Sequence, residues 1–169
     1  MTAVGQVKRA VAAAIKAAGC AAIESYREEQ LKRYATAVAA VGTKETVIEE
    51  SGAAQYLGEK VDEATQETVS AYGRKMLLTL LIEVYAPRTL GAAGCEKAAE
   101  TITQAMMTAL PEGLKLGSLQ WGKTGWDKTT GMFRLDASAK YAAYFVAEAA
   151  EDETVFTDFV LKGTVKERE

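Results

Sequence analysis

Residues 117–124 read GSLQWGKT and match the phosphate-loop pattern G-x-x-x-x-G-K-[ST] letter for letter. Gly117 and Gly122 hold the glycine places, followed by Lys123 and Thr124. In a working phosphate loop a strand ends, free backbone N–H groups wrap the phosphates, and a helix starts at the Lys-Thr pair with its positive end on the anion. A strand precedes these letters, but the text that follows does not start a helix. Gly125, Trp126 and Asp127 come next, then Thr129, Thr130 and Gly131, then a strictly alternating stretch. A magnesium-holding Asp should end a separate apolar strand. The best such strand closes as LLIEVYAP, where the one acid, Glu83, is followed by more strand. A β-hairpin that spells the motif by accident fits every neighbouring residue. Its tip carries Trp121, Lys123, Trp126 and Lys128, a candidate surface for contact with another protein.

Other chemistry is thinly represented. The chain has no histidine, which excludes Ser-His-Asp and Cys-His catalysis and any imidazole ligand. Cys20 and Cys95 lie far apart among small and apolar residues, outside any C-x-x-C pair, and read as buried free thiols. Glu59, Asp62, Glu63 and Glu67 crowd residues 51–67, but not at the spacing of a calcium loop. We therefore expect no catalytic residue, no metal and no cofactor, and read residues 51–67 as an acidic loop excursion.

The elements that must position these residues follow from periodicity. Val4, Val7, Val11, Ile15 and Ala18 recur at helical spacing and stop at Gly19, a good helix terminator. AAIESY suggests a short strand and REEQLKR a polar link. From Tyr34 the text alternates: Tyr34, Thr36 and Val38 against Ala37, Ala39 and Val41, one long strand with a bend at Gly42. Its charged far half projects beyond the core, which makes Lys44, Val47, Ile48 and Glu49 candidate interface residues. Residues 68–85 are apolar on both faces, as in a central strand, until Pro87. GAAGCEKAAETITQAMMTAL is an amphipathic helix burying Cys95, Ala98, Ile102, Met106 and Ala109, with Met107 expected to fill core beside Met106. LKLGSLQW and MFRLDASAKYAAYFVAEA are strands, the latter with Phe133, Leu135, Ala137, Ala139, Tyr141, Ala143 and Phe145 on one face. VFTDFVLKGTVKE is a final strand before a frayed end. Grouped strands and few helices give an α+β fold, a mostly antiparallel β-sheet with two helices packed on one face, in a single domain over residues 1–169.

Bulk properties agree. A chain of 169 residues can bury a core without metals or disulfides. No apolar run approaches the roughly 18 residues of a membrane helix, and Lys8, Arg9 and Lys16 interrupt any secretory-signal pattern, so neither membrane nor export is expected. The net charge of -3 argues against a surface that grips nucleic acid.

GRKMLLTLLIEVYAP followed by the helix GCEKAAETITQAMMTAL, and then the tip WGKTGWDKTTGMFRL, resembles the tail terminator and tail completion proteins of long-tailed bacteriophages. The similarity lies in layout: an N-terminal helix, long early strands, a strand ending in a V-[YF]-x-P element, a helix, then a hairpin with Gly, aromatic and Asp residues at its tip. Residues 51–67 and the last strand, 155–167, depart from it. The resemblance implies a non-catalytic virion protein, made in the host cytoplasm and located in the tail or neck. It implies a ring of identical copies, typically a hexamer, that caps the tail tube. Its partners would be the tail tube protein, head connector and neck proteins and, in a contractile tail, the sheath, with DNA only passing through the lumen. Apart from that resemblance, the residues alone also suit a small α+β adaptor domain that uses the tryptophan hairpin as its contact surface.

Overall fold

The computed structural model describes residues 3–24, 31–50, 56–61, 66, 68–111 and 113–147. Ser25 and Tyr26 of the expected short strand, residues 27–30 of the polar link, Asp62, Glu63, Glu67 and the expected strand at 155–167 lie outside the described residues. The elements run α1 (Ala3–Ala17), β1 (Ala21–Ile23), β2 (Val38–Glu49), β3 (Tyr56–Val61), β4 (Thr68–Ala86), α2 (Gly91–Thr108), β5 (Lys115–Trp121), β6 (Gly125–Asp127) and β7 (Met132–Ala147). This is the expected α+β class. The chain divides into two compact units, one of residues 1–49 and 75–145, the other of residues 50–74 and 146–169.

In the first unit the strands lie in the order β1-β2-β4-β7-β5, with β6 on β7. β1 pairs parallel to β2, whereas β2 with β4, β5 with β7 and β6 with β7 are antiparallel. One face of this sheet takes both helices. Val7, Val11 and Ile15 of α1 and Cys95, Ile102 and Met106 of α2 pack on Met76, Leu78, Leu80, Ile82 and Val84 of β4 and on Leu135, Ala137, Ala139 and Tyr141 of β7. Alternation along β4 and β7 makes that face apolar, and helical spacing gives each helix a matching stripe. The opposite face holds a smaller cluster: Leu31, Val38, Ala40, Tyr85 and Met132.

α1 ends as its sequence dictates. Gly19 N–H donates to Lys16 C=O at 3.0 Å and Cys20 N–H to Ile15 C=O at 3.3 Å, a Schellman closure. Gly19 has φ +88°, which a Cβ would strain. At the start of α2 the missing side chain of Gly94 leaves room for Leu90 and Ala86, whose Cβ atoms lie 2.6 and 3.2 Å from where its own would be.

Five details differ from the reading of the sequence. β2 begins at Val38, not Tyr34, because residues 31–34 make a turn, with Tyr34 N–H on Leu31 C=O at 3.2 Å. That turn seats fully buried Leu31 against Val38, Ala40 and Tyr85. The β2 irregularity falls at Lys44, where the register shifts between Thr43 and Glu45, two residues beyond the bend expected at Gly42. Met107 is 76% exposed rather than core. Neighbours on a helix point about 100° apart, so Met106 and Met107 cannot share one stripe. Ala109 caps α2 and is exposed rather than buried. In the second unit, residues 51–67 are more than a loop. β3 pairs antiparallel with the first residues of β4, from Tyr56 opposite Tyr72 to Val61 opposite Thr68, and Tyr56 meets Tyr72 edge-on at 5.7 Å between ring centres.

Replacing Gly19 with Ala keeps the helix but forces an L side chain into the left-handed region. The expected cost is about 1–2 kcal/mol in urea unfolding. An unchanged midpoint would contradict the Schellman closure.

Candidate functional site

The phosphate-loop letters fall in a sheet. Gly117 lies in β5 at a register shift between Leu116 and Ser118, and a Cβ there would stand 3.5 Å from Lys140 C=O. Gly122 N–H donates to Asp136 C=O at 2.7 Å. The N–H group that would cradle a phosphate is therefore already bound to β7. Lys123 is exposed in a short break in the pairing, and the chain returns at once to β7 through β6, with Trp126 opposite Phe133. No helix follows, so no helix dipole faces an anion. The expected hairpin is present, with one refinement: its turn region contains a third short strand, β6.

Asp127 builds the tip. Its carboxylate accepts Thr129 N–H at 3.0 Å and the Thr130 hydroxyl at 2.8 Å, and its C=O accepts Gly131 N–H at 2.9 Å. Gly131, at φ +67°, supplies the left-handed residue that turns the chain into β7. The Thr130 hydroxyl bond, chief among these, holds the Asp127 carboxyl below its ordinary pKa.

The two tryptophans have different jobs. Trp121 points to α2, its Nε1–H donating to Thr103 Oγ1 at 3.0 Å, while the Thr103 hydroxyl donates to Ala99 C=O at 2.7 Å. It caps the edge of the core and walls an apolar groove with Ala99, Thr103 and Met107. Trp126 is 45% exposed and stands edge-on to Phe133 at 5.1 Å, with Arg88 beside the pair. Lys123 and Lys128 are exposed nearby along the chain. Trp121, Lys123, Trp126 and Lys128 therefore belong to one hairpin. Lys44, Val47, Ile48 and Glu49 do not join them. They lie on β2, with β4 and β7 separating that strand from the β5 edge. Val47 and Ile48 are 41% and 51% exposed, opposite Leu77 and Met76, and Glu49 faces Lys75 at 4.0 Å.

One cluster escaped the sequence reading. On the sheet face away from the helices, Arg134 of β7 binds Glu83 Oε1 of β4 at 2.6 Å. It also grips Asp136 with Nε at 2.6 Å and Nη2 at 2.9 Å, and stands 6.0 Å from the Tyr85 ring centre. Tyr85 hydroxyl donates to Glu83 at 3.4 Å. The hydrogen bonds to Asp136 raise the Arg134 pKa. Burial pushes the Glu83 carboxyl up, and Arg134 pulls it back in part. With its guanidinium engaged by two carboxylates, Arg134 clamps β4 to β7 rather than offering an anion site. Arg134-x-Asp136 on one strand face was visible in sequence; the Glu83 partner required the register between strands.

The cysteines are buried free thiols. Cys95 Sγ reaches Phe133 C=O at 3.4 Å and Val84 C=O at 3.7 Å, and burial pushes it up to about 11. Burial also raises Cys20. Neither is poised as a nucleophile. Among the described residues no group of three or more Cys, Asp or Glu could hold a metal ion, and no helix is long and apolar enough to cross a membrane.

No family model and no curated protein matches the sequence. Among solved structures the chain is similar to one from "Virion of native gene transfer agent (GTA) particle", at 16% identity and a TM-score of 0.48, covering 86% of this chain and all of that one. A likeness of that size assigns this chain neither a family nor a function.

Glu83 sets a pH dependence with a definite sign. A carboxyl whose folded pKa lies above its unfolded value holds its proton more tightly when folded, so stability falls as pH rises through the window just above 4.5. The unfolding free energy of the wild type minus that of Glu83→Gln should decline across that window. A difference that does not vary with pH would contradict the assignment.

Proposed function

We propose that this chain is a non-enzymatic structural virion protein, which caps the end of a phage-type tail tube as a ring of identical copies and helps join tail to head. The observation that carries this reading is the uncovered outer half of β2. Its inner residues 38–41 are buried, whereas residues 43–49 are exposed, with Val47 and Ile48 held in a strand paired to β4. Exposed apolar residues on a paired, ordered strand suit a protein contact, since the ordering entropy has already been met by the fold. The layout that resembles tail terminators supports the reading: helix, long strand, central strand closing at Pro87, helix, then the Trp126 hairpin.

The partners are further copies, the tail tube protein and the head connector or neck proteins, with the sheath added in a contractile tail. The net charge of -3 suits a conduit through which DNA slides without sticking. A second reading, a cellular adaptor domain that binds through the hairpin, rests on Trp126 beside Arg88. Half-exposed tryptophan next to arginine is typical of an interface hot spot.

Adding the purified chain to polymerising tail tube protein should stop elongation, giving short capped tubes by electron microscopy. Trp126→Ala should cost about 1–2 kcal/mol of stability through the lost Phe133 contact, leave the chain folded, and weaken attachment to the neighbouring neck component by about tenfold or more. Tubes that grow unchanged in the presence of excess chain would overturn the capping role.

A further inference from the structure

The sheet of the first unit has two different open edges, both among the described residues. At one edge β1 covers only residues 38–40 of β2, and nothing described pairs with that side of residues 43–49. At the other edge β5 pairs with β7 alone. Each edge has one irregularity, at Lys44 and at Gly117, and beyond it a regular run: residues 45–49 on β2 and 118–121 on β5. Open strand edges are templates for strand addition.

The faces also match. Ile48 lies opposite Met76, a residue of the helix-covered face. Trp121 lies opposite Ala137 on the same face of the same sheet. Next to β5 on that face lies the apolar groove of Ala99, Thr103, Met107 and Trp121, about 470 Å³ in volume. A sheet continued from one copy into the next keeps its helix face on one side throughout a cyclic ring. Strand addition of β2 to β5 would then set Ile48 of one copy over the groove of its neighbour, where Met107 is 76% exposed. Charge agrees on the other face: Glu45 and Glu49 of the β2 run lie away from the helices, and on the same face of the β5 edge exposed Lys140 stands opposite Ser118.

On the ring reading proposed above, we infer that the occupant of the α2–β5 groove is a second copy of this chain, which adds the outer half of its β2 to the β5 edge and inserts Ile48 between Met107 and Trp121. The contact is head-to-tail, so each copy uses one edge to give and the other to receive, as a closed ring requires.

The test uses full-length Ile48→Lys and Met107→Lys, both at exposed positions, with folding checked by circular dichroism and mass by sedimentation velocity. Each variant alone should self-associate about 30-fold more weakly than the wild type, as for loss of an interface anchor. Each keeps one intact edge, so an equimolar mixture should form heterodimers and stop there. A wild type that assembles while either variant still assembles alone, or while the mixture stays monomeric, would overturn this pairing and leave the ring standing. A wild type that stays monomeric at every concentration would overturn the ring itself.

Discussion

The larger unit depends on one constraint: β4 must be covered on both faces along its C-terminal half. Its residues alternate Leu78, Leu80, Ile82 and Val84 on one side with Thr79, Leu81 and Tyr85 on the other, and all except half-buried Leu81 are buried. No single layer can satisfy such a strand. The helices take the first face. The second is closed by Leu31 from a turn, by Met132, and by the Arg134 clamp on Glu83. A carboxylate near the end of the mostly apolar C-terminal half of β4 would be costly without that guanidinium. Arg134 holds it, and in turn is held by Asp136, so the clamp also ties β4 to β7, the strand that carries the hairpin.

What could be read from the sequence follows from how local each signal is. α1, α2, β4 and the buried face of β7 through Tyr141 were legible because their periodicities are set within the element. Gly19 was legible as a stop because only a few residues decide a Schellman closure. The start of β2 was not: Tyr34, Thr36 and Val38 alternate like a strand, but Leu31 is worth more as a plug over Tyr85, a gain visible only once β4 is in place. β3 was missed because an acidic, glycine-containing stretch reads as a loop until its partner, the start of β4, is known. β6 is three residues long and owes its existence to pairing with β7.

The candidate site was legible in parts. Trp121 and Trp126 were both singled out, yet only the fold separates them: one caps the core through Thr103, the other stays exposed beside Phe133. The phosphate-loop letters show the same principle from the other side. Gly117, Gly122, Lys123 and Thr124 are the right residues, but Gly122 gives its N–H to Asp136, and the chemistry of that motif lies in free N–H groups and a helix end. The β2 candidates, Lys44 to Glu49, form a second surface at the far side of the sheet. Two unlike surfaces on one sheet are what head-to-tail assembly needs, whereas a ligand site would gather its residues in one place.

The central claim is that this chain builds a ring. Negative-stain electron microscopy of the purified full-length chain tests it most directly. The account predicts closed annular particles of uniform subunit number, with a central hole wide enough for duplex DNA. A field of single small particles, unchanged at the highest concentration reached, would contradict it.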